Sequence, residues 1–311
     1  MPMSHSRSRR GAGAELVVSL PRVIFIPVAG MSKAPPILGA MTTIAQVTDL
    51  HLLEERHDRR SGVERWRLRY LSFGRPLCAE ERRARALSAL RRARMAEVDH
   101  VVVTGDLTED GVAAQFEALA EVLAESKLAP ERVTLVPGNH DLYDDGKAFA
   151  RALEGPLRAY AATSRPGAVT ELSGVVIVPI STAVPLPVTR SSGEIEAGAL
   201  ARLGKLAEDP HFAWKAVLAA QHHPPGRHAI AAWHWIDGLQ TPEAMDALLS
   251  RCERLHVVHG HAHRSVDRSV RAGASPRVFG AEAVVDGKTT LRIYRATCGR
   301  LMPATDAALA A

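Results

Sequence analysis

Three observations in the sequence predict an α/β domain of layered sheets and helices. From Met41 onward, short apolar runs of strand length alternate with longer stretches whose apolar residues recur at helical spacing. Polar clusters rich in His, Asp and Asn directly follow five of those runs, where open α/β sheets present their ligands. Hydrophobic residues fill 46% of the 311 positions, enough to bury a core and to exclude a wholly disordered chain.

The elements follow in order. Thr43–Thr48 (TIAQVT) reads as the first strand. Glu80–Ala96 reads as a helix with Leu87, Leu90 and Met95 on its apolar side and many Arg elsewhere. His100–Thr104 is a buried strand, Gly111–Glu125 a helix, Arg132–Val136 a strand and Lys147–Ala162 another helix. Strand signals recur at Val175–Ile180, Ala216–Ala220 and Leu255–Val258. Arg277–Val285 and Thr289–Arg295, joined across Asp286-Gly287, read as a closing hairpin. The simplest organisation is one domain over residues 41–311, with an insertion at 54–76 and an N-terminal extension over 1–40.

That extension carries most of the net charge. Arg7, Arg9, Arg10, Arg22 and Lys33 against Glu15 supply +4 of the +5 total. The remaining chain is nearly neutral, so no nucleic-acid partner is expected. The apolar run LVVSLPRVIFIPVAG is broken by Pro21, Arg22 and Pro27 and is too short to span a bilayer. Three readings of 1–40 stand side by side: a poor signal peptide, a disordered extension, or translation from too early a start, with Met41 before the first good strand. Three Cys without a CxxC pair exclude a disulfide framework and a structural zinc-thiolate site. The expectation is a protein of a reduced compartment, the cytoplasm. Fourteen His are the compositional oddity, because imidazole binds metals and moves protons near neutral pH.

The five strand-end clusters are Thr48-Asp49-Leu50-His51, Thr104-Gly105-Asp106, Pro137-Gly138-Asn139-His140-Asp141, Gln221-His222-His223-Pro224 and His259-Gly260-His261-Ala262-His263. Each alone is ordinary turn chemistry; the joint occurrence is not. Two divalent metals close together need a bridging carboxylate plus N and O donors from different elements. Asp106 suits the bridge. Asp49, His51 and one terminal His can complete a first site; Asn139, His222 and the other terminal His can complete a second. The lack of thiolate favours Mn, Fe or Zn. No GxGxxG fingerprint, P-loop or GxSxG elbow is present.

The ordered DxH, GD, GNHD, H and GHxH blocks resemble the calcineurin-like metallophosphoesterases, over about residues 42–265. The resemblance implies a layered β-sandwich core flanked by helices and a two-metal phosphoric ester hydrolase. Block by block, it assigns Asp49, His51, Asp106 and His263 to one metal and Asp106, Asn139, His222 and His261 to the other. His222 is preferred to His223 as ligand because it comes directly after the strand; His223 is placed in the surrounding shell or substrate pocket. The implied chemistry is in-line attack on phosphorus by a hydroxide held between the metals. His140, oriented by Asp141, is the implied group that contacts phosphate and helps the leaving oxygen depart.

Variants inside the blocks narrow the substrate. Asp106 is not followed by the VDRG of protein serine/threonine phosphatases, and Asp141 stands where they carry Glu. His140 stands where the main class of UDP-diacylglucosamine hydrolases carries Arg. The blocks look most like the cyclic-nucleotide and glycerophosphodiester phosphodiesterase branch. A pyrophosphate hydrolase on a nucleotide-sugar or lipid-linked substrate is the alternative, and an inactive phosphate-ligand binder a weaker one. Residues 54–75 hold seven Arg against four acids, with Trp66, Tyr70 and Phe73 sharing one face if helical. A helical insertion packing its aromatics on the domain is the favoured reading there; peripheral membrane contact is the other. Gly226–Leu239, with His228 and Trp233 as candidate substrate contacts, is expected to cap the metals.

Overall fold

Eleven short strands and eight helices follow one another along the chain in a computed structural model that describes residues 41–143, 145–287 and 291–304. The order is β1 (Thr42–Val47), α1 (Gly62–Ser72), α2 (Ala79–Met95), β2 (His100–Thr104), α3 (Ala113–Ser126), β3 (Val133–Val136), α4 (Ala148–Glu154) and α5 (Ala161–Ser164). Then come β4 (Thr170–Glu171), β5 (Val175–Pro179), α6 (Ala197–Glu208), β6 (Ala216–Ala220), α7 (Ala231–Asp237), α8 (Pro242–Arg251) and β7 (Leu255–His259). The last strands are β8 (Val266–Ser269), β9 (Pro276–Gly280), β10 (Arg292–Thr297) and β11 (Arg300–Pro303).

These strands form two mixed sheets, ordered β11-β10-β1-β2-β3 and β4-β5-β6-β7-β9-β8. Alternate side chains leave each strand in opposite directions, and both directions are buried. Ile44 and Val102 point into the space between the sheets with Ile177, Leu218 and Phe279. Ala45, Val101 and Val103 point outward beneath Leu87, Leu90 and Phe116 of α2 and α3. Val217 and Ala219 do the same beneath Leu203 and Leu248 of α6 and α8. The result is a sheet sandwich with a helical layer on each outer face. Burial on both sides is why the strands read as continuous apolar runs.

The expected β-sandwich flanked by helices is therefore what the chain forms, and its central strands lie within a residue of the expected bounds. Four expectations are corrected. The closing hairpin is absent: β9 pairs with β7 and β8 in one sheet, β10 with β1 and β11 in the other. The chain crosses between sheets where the turn signal Asp286-Gly287 stands, and two shorter hairpins, β8–β9 and β10–β11, take its place. The helix expected over Lys147–Ala162 is broken at Gly155-Pro156, since proline has no N–H to donate and clashes with the preceding turn. Met95 is exposed, and Ala86, Ala89 and Ala93 join Leu87 and Leu90 on the buried face of α2. The aromatics of the insertion do not pack on the domain: Trp66, Tyr70 and Phe73 are exposed, while Leu68 and Leu71 face inward. The N-terminal extension lies outside the described residues. Among the described residues no helix is long and apolar enough to cross a membrane.

Candidate metal centre

The C-terminal ends of β1, β2, β3, β6 and β7 lie side by side across the two sheets and carry the five polar clusters to one place. The turns there are conformationally unusual. Of nine non-glycine residues with positive φ among those described, five are Asp49, His51, Asp106, His261 and His263. Side chains with a Cβ rarely adopt this region, and such residues cluster at functional sites where the surroundings impose them. Two motif glycines serve close approach: a Cβ at Gly138 would strike the Asp106 carboxylate, and one at Gly260 would strike Thr48 and Asp49.

Asp106 is the hub. Its Oδ2 lies 3.3 Å from His222 Nε2, 3.6 Å from His51 Nε2 and 3.9 Å from His140 Nε2. His263 Nε2 lies 3.5 Å from Asp49 Oδ1. His222 Nε2 also faces Asn139 Oδ1 at 3.1 Å and His261 Nδ1 at 3.3 Å. The trios Asp49–His51–His263 and Asp49–Asp106–His222 each bring ligand atoms within 4.8 Å of one another. All seven residues expected as ligands are thus brought together.

The hydrogen bonds decide which atoms face inward. His222 Nδ1 donates to the Thr104 carbonyl at 2.8 Å. Its Nε2 is therefore aimed at Asn139, Asp106 and His261. Asn139 Nδ2 donates to the Tyr143 hydroxyl at 2.8 Å, turning Oδ1 inward. His261 Nε2 meets Asp237 Oδ1 at 2.9 Å, His263 Nδ1 meets Asp286 Oδ2 at 2.8 Å, and His51 Nδ1 faces Glu109 Oε2 at 3.3 Å. His222, His261 and His263 each bond a protein acceptor through one nitrogen and present the other to the centre, the arrangement by which proteins fix a metal-binding imidazole.

The electrostatics carry the same signature. Burial opposes charge on Asp106 and Asp49, yet the surrounding imidazoles hold both well below the usual carboxylate range. Burial would depress His222, but Asp106 and Asp49 raise it to about 9. His263 is likewise raised to about 9, against its burial, by Asp49 and Asp286. Burial and Arg75 lower His51 to about 4, and neither of its buried ring nitrogens has a hydrogen-bond partner. A cluster of inward-facing acceptors that needs extra protons to balance it, with one lone pair left over, fits divalent cations.

His140 stands beside this cluster. Its Nδ1 is bonded to the Glu109 carbonyl at 2.6 Å, and its ring meets His51 edge-on at 4.5 Å between centroids. Asp141 does not orient it. The Asp141 carboxylate accepts from the backbone N–H groups of Leu107, Thr108 and Gly138 and from the Thr108 hydroxyl, tying two ligand loops together. Burial and the nearby Asp106 raise it to about 6.

His223 lies in the shell around the ligands. It is fully buried, with Nδ1 on Thr182 Oγ1 at 2.8 Å and Nε2 on the Ser191 carbonyl at 2.6 Å. Both nitrogens are committed to protein, so the ring pins the 182–191 loop while packed on His222 and His261, with centroids 5.0 and 4.5 Å away. His228 lines a cavity of about 210 Å³ with Asp237, His261 and Arg264. Trp233 is 58% exposed and does not line that cavity. Sequence reasoning missed Glu109, Asp237, Asp286 and Tyr143. Glu109 lies three residues beyond the Thr104-Gly105-Asp106 cluster and was the easiest of these to find; Asp237 and Asp286 lie outside all five clusters.

A two-sheet sandwich with helices outside and a His/Asp/Asn centre at its strand ends is the architecture of a metallophosphoesterase. Residues 42–265 match the model of the calcineurin-like phosphoesterases, and the chain belongs to that family. It is a metal-dependent phosphoester hydrolase. The 3',5'-cyclic adenosine monophosphate phosphodiesterases CpdA of Escherichia coli K12 and O157:H7 are each 27% identical to it over 237 residues, or 75% of this chain and 74% of theirs. A dimetal phosphatase from Danio rerio shares the fold with a TM-score of 0.57 at 16% identity, over 85% of this chain and 98% of that one.

Proposed function

We propose that the chain is a phosphodiesterase whose two cation sites share Asp106. Asp49, His51, Asp106 and His263 hold one ion; Asp106, Asn139, His222 and His261 hold the other. The observation that carries this reading is the convergence of inward-facing acceptors around Asp106 Oδ2, from elements of both sheets. The donor set suits Mn, Fe or Zn. When bound, such ions supply positive charge that polarises phosphoryl oxygens and lowers the pKa of water for in-line attack.

The chain's own groups do the rest. Glu109's carbonyl takes Nδ1–H of His140, which leaves Nε2 on the side of the centre where a phosphate ester binds. A protonated His140 delivers a proton from Nε2 to the departing oxygen. Tyr143, bonded to Asn139, keeps the amide oxygen turned inward through turnover. His228, in the adjoining cavity, contacts the part of the substrate beyond phosphorus. A diester substrate is supported by the relatives that cleave 3',5'-cyclic adenosine monophosphate.

The test is metal analysis of the purified protein, joined to hydrolysis of bis(p-nitrophenyl) phosphate, p-nitrophenyl phosphate, 3',5'-cyclic AMP and a UDP-sugar, before and after chelation. Diester cleavage lost on chelation and restored by Mn is expected. Metal-loaded protein that cleaves only the UDP-sugar would replace the reading with a pyrophosphate hydrolase.

A further inference from the structure

Ten large apolar side chains are exposed among the described residues, and seven belong to two short segments. Val63, Trp66, Tyr70 and Phe73 lie on α1 and its C-cap; Ile230, Trp233 and Trp235 lie on α7 and its N-cap. The α1 group recurs at i, i+3, i+7 and i+10, a single helical face. Trp66 and Tyr70 stack with centroids 5.2 Å apart and rings 17° from parallel, so that face is held in place before anything meets it. Charged residues dock the insertion instead: Arg60 and Arg67 bind Asp110, and Arg75 binds Glu109.

The two segments flank the mouth of the metal centre. Glu109 accepts from Ser72 at the end of α1 and so ties that helix to the side holding His51 and His140. Asp237, the last residue of α7, ties that helix to His261 on the other side. Both sides meet at Tyr143. Its ring meets His140 edge-on with centroids 5.2 Å apart. Its hydroxyl donates to the Arg190 carbonyl at 3.5 Å, and the Arg190 guanidinium lies over Trp235 at 4.3 Å.

We infer that this two-sided aromatic rim seats the mouth of the metal centre on an anionic phospholipid surface. The inference is independent of which phosphoester is cut. Trp and Tyr are the side chains enriched where membrane meets water, because each has an apolar body and a polar edge. The 54–75 segment adds seven Arg against four acids. Of these, Arg56, Arg59 and Arg69 are exposed and make no ion pair with another described residue, leaving them free for lipid phosphates. Two separate exposed aromatic segments beside a largely buried site also suit a deformable surface, which can meet both at once, better than a second rigid copy of the chain.

The test is co-flotation of the full chain with vesicles of phosphatidylcholine and phosphatidylglycerol at 7:3, compared with phosphatidylcholine alone. Binding that needs phosphatidylglycerol is expected, and it should weaken about tenfold in Trp66→Ser/Phe73→Ser and again in Trp235→Ser. Hydrolysis of soluble bis(p-nitrophenyl) phosphate by the Trp66→Ser/Phe73→Ser variant should match wild type, which shows the variant is folded. Absence of flotation in an active protein overturns the inference. So does flotation that survives all three substitutions, or a concentration-dependent dimer that they abolish, which would make a second copy the occupant.

Discussion

The carboxylate of Glu109 stands 3.3 Å from Nδ1 of His51, at a place where both residues are buried. The same carboxylate pairs with Arg82 and Arg75, and the same residue's carbonyl holds His140. One acidic residue thereby links a proposed metal ligand, the proposed proton donor and the base of the α1 insertion.

Glu109→Gln keeps the shape and removes the charge. Arg82, buried and already lowered by its burial, loses its anionic partner. A stability loss of about 3–5 kcal/mol is expected from the uncompensated charge, read as a lower urea midpoint with unchanged slope. A midpoint within error of wild type would show that Glu109 does not carry the network.

Asp237 and Asp286 give a cleaner view of the metal centre, since both are partly exposed and each pairs with one of its histidines, Asp237 also touching Ser191 and His228. Asp237→Asn and Asp286→Asn should each weaken Mn²⁺ binding about 10–100-fold in calorimetric titration. Thermal unfolding of the chelated proteins should stay near wild type. Loss confined to one variant would mean that only one of the two imidazoles needs its carboxylate.

His140→Ala should retain metal and lose turnover by about 10²–10⁴-fold. The loss should be larger for an alkyl diester than for a nitrophenyl diester, whose leaving oxygen needs no proton. Equal losses on both would remove the proton-donor role and leave His140 a phosphate contact.

Two histidines far from the centre set an acid limit on stability. Burial, helped by Arg132, lowers His100 to about 3, and burial with Arg277 nearby lowers His256 to about 4. Unfolded histidine titrates near 6.5. Between those values the unfolded chain binds more protons than the folded one, so stability is complete above about pH 6.5 and declines as pH falls toward 3–4. His100→Leu should reduce the pH slope of the unfolding free energy over that window by about one proton. A slope identical to wild type would refute the buried neutral state.

Much of this protein was legible along the chain. Strands such as His100–Thr104 and Ala216–Ala220 announced themselves because both faces are buried, which leaves uninterrupted apolar runs. The five clusters were equally plain, since ligands must sit at strand ends and those ends are local in sequence. The insertion's aromatics misled because an i, i+4, i+7 stripe records a shared face and not which way that face turns. Here the buried ion pairs of Asp110 and Glu109 decide, turning Leu68 and Leu71 inward.

The sequence by itself determined the class of the domain, the family and the set of side chains that meet at Asp106. Only the tertiary structure decided how those side chains are aimed. Glu109, Asp237 and Asp286 orient three histidines, yet Asp237 and Asp286 lie 24 and 23 residues from the rings they hold. The crossing of β9 and β10 into different sheets follows the same logic. A turn signal reports local backbone preference, whereas the partner of a strand or of an imidazole nitrogen is set by packing between segments that are remote in sequence and adjacent in space.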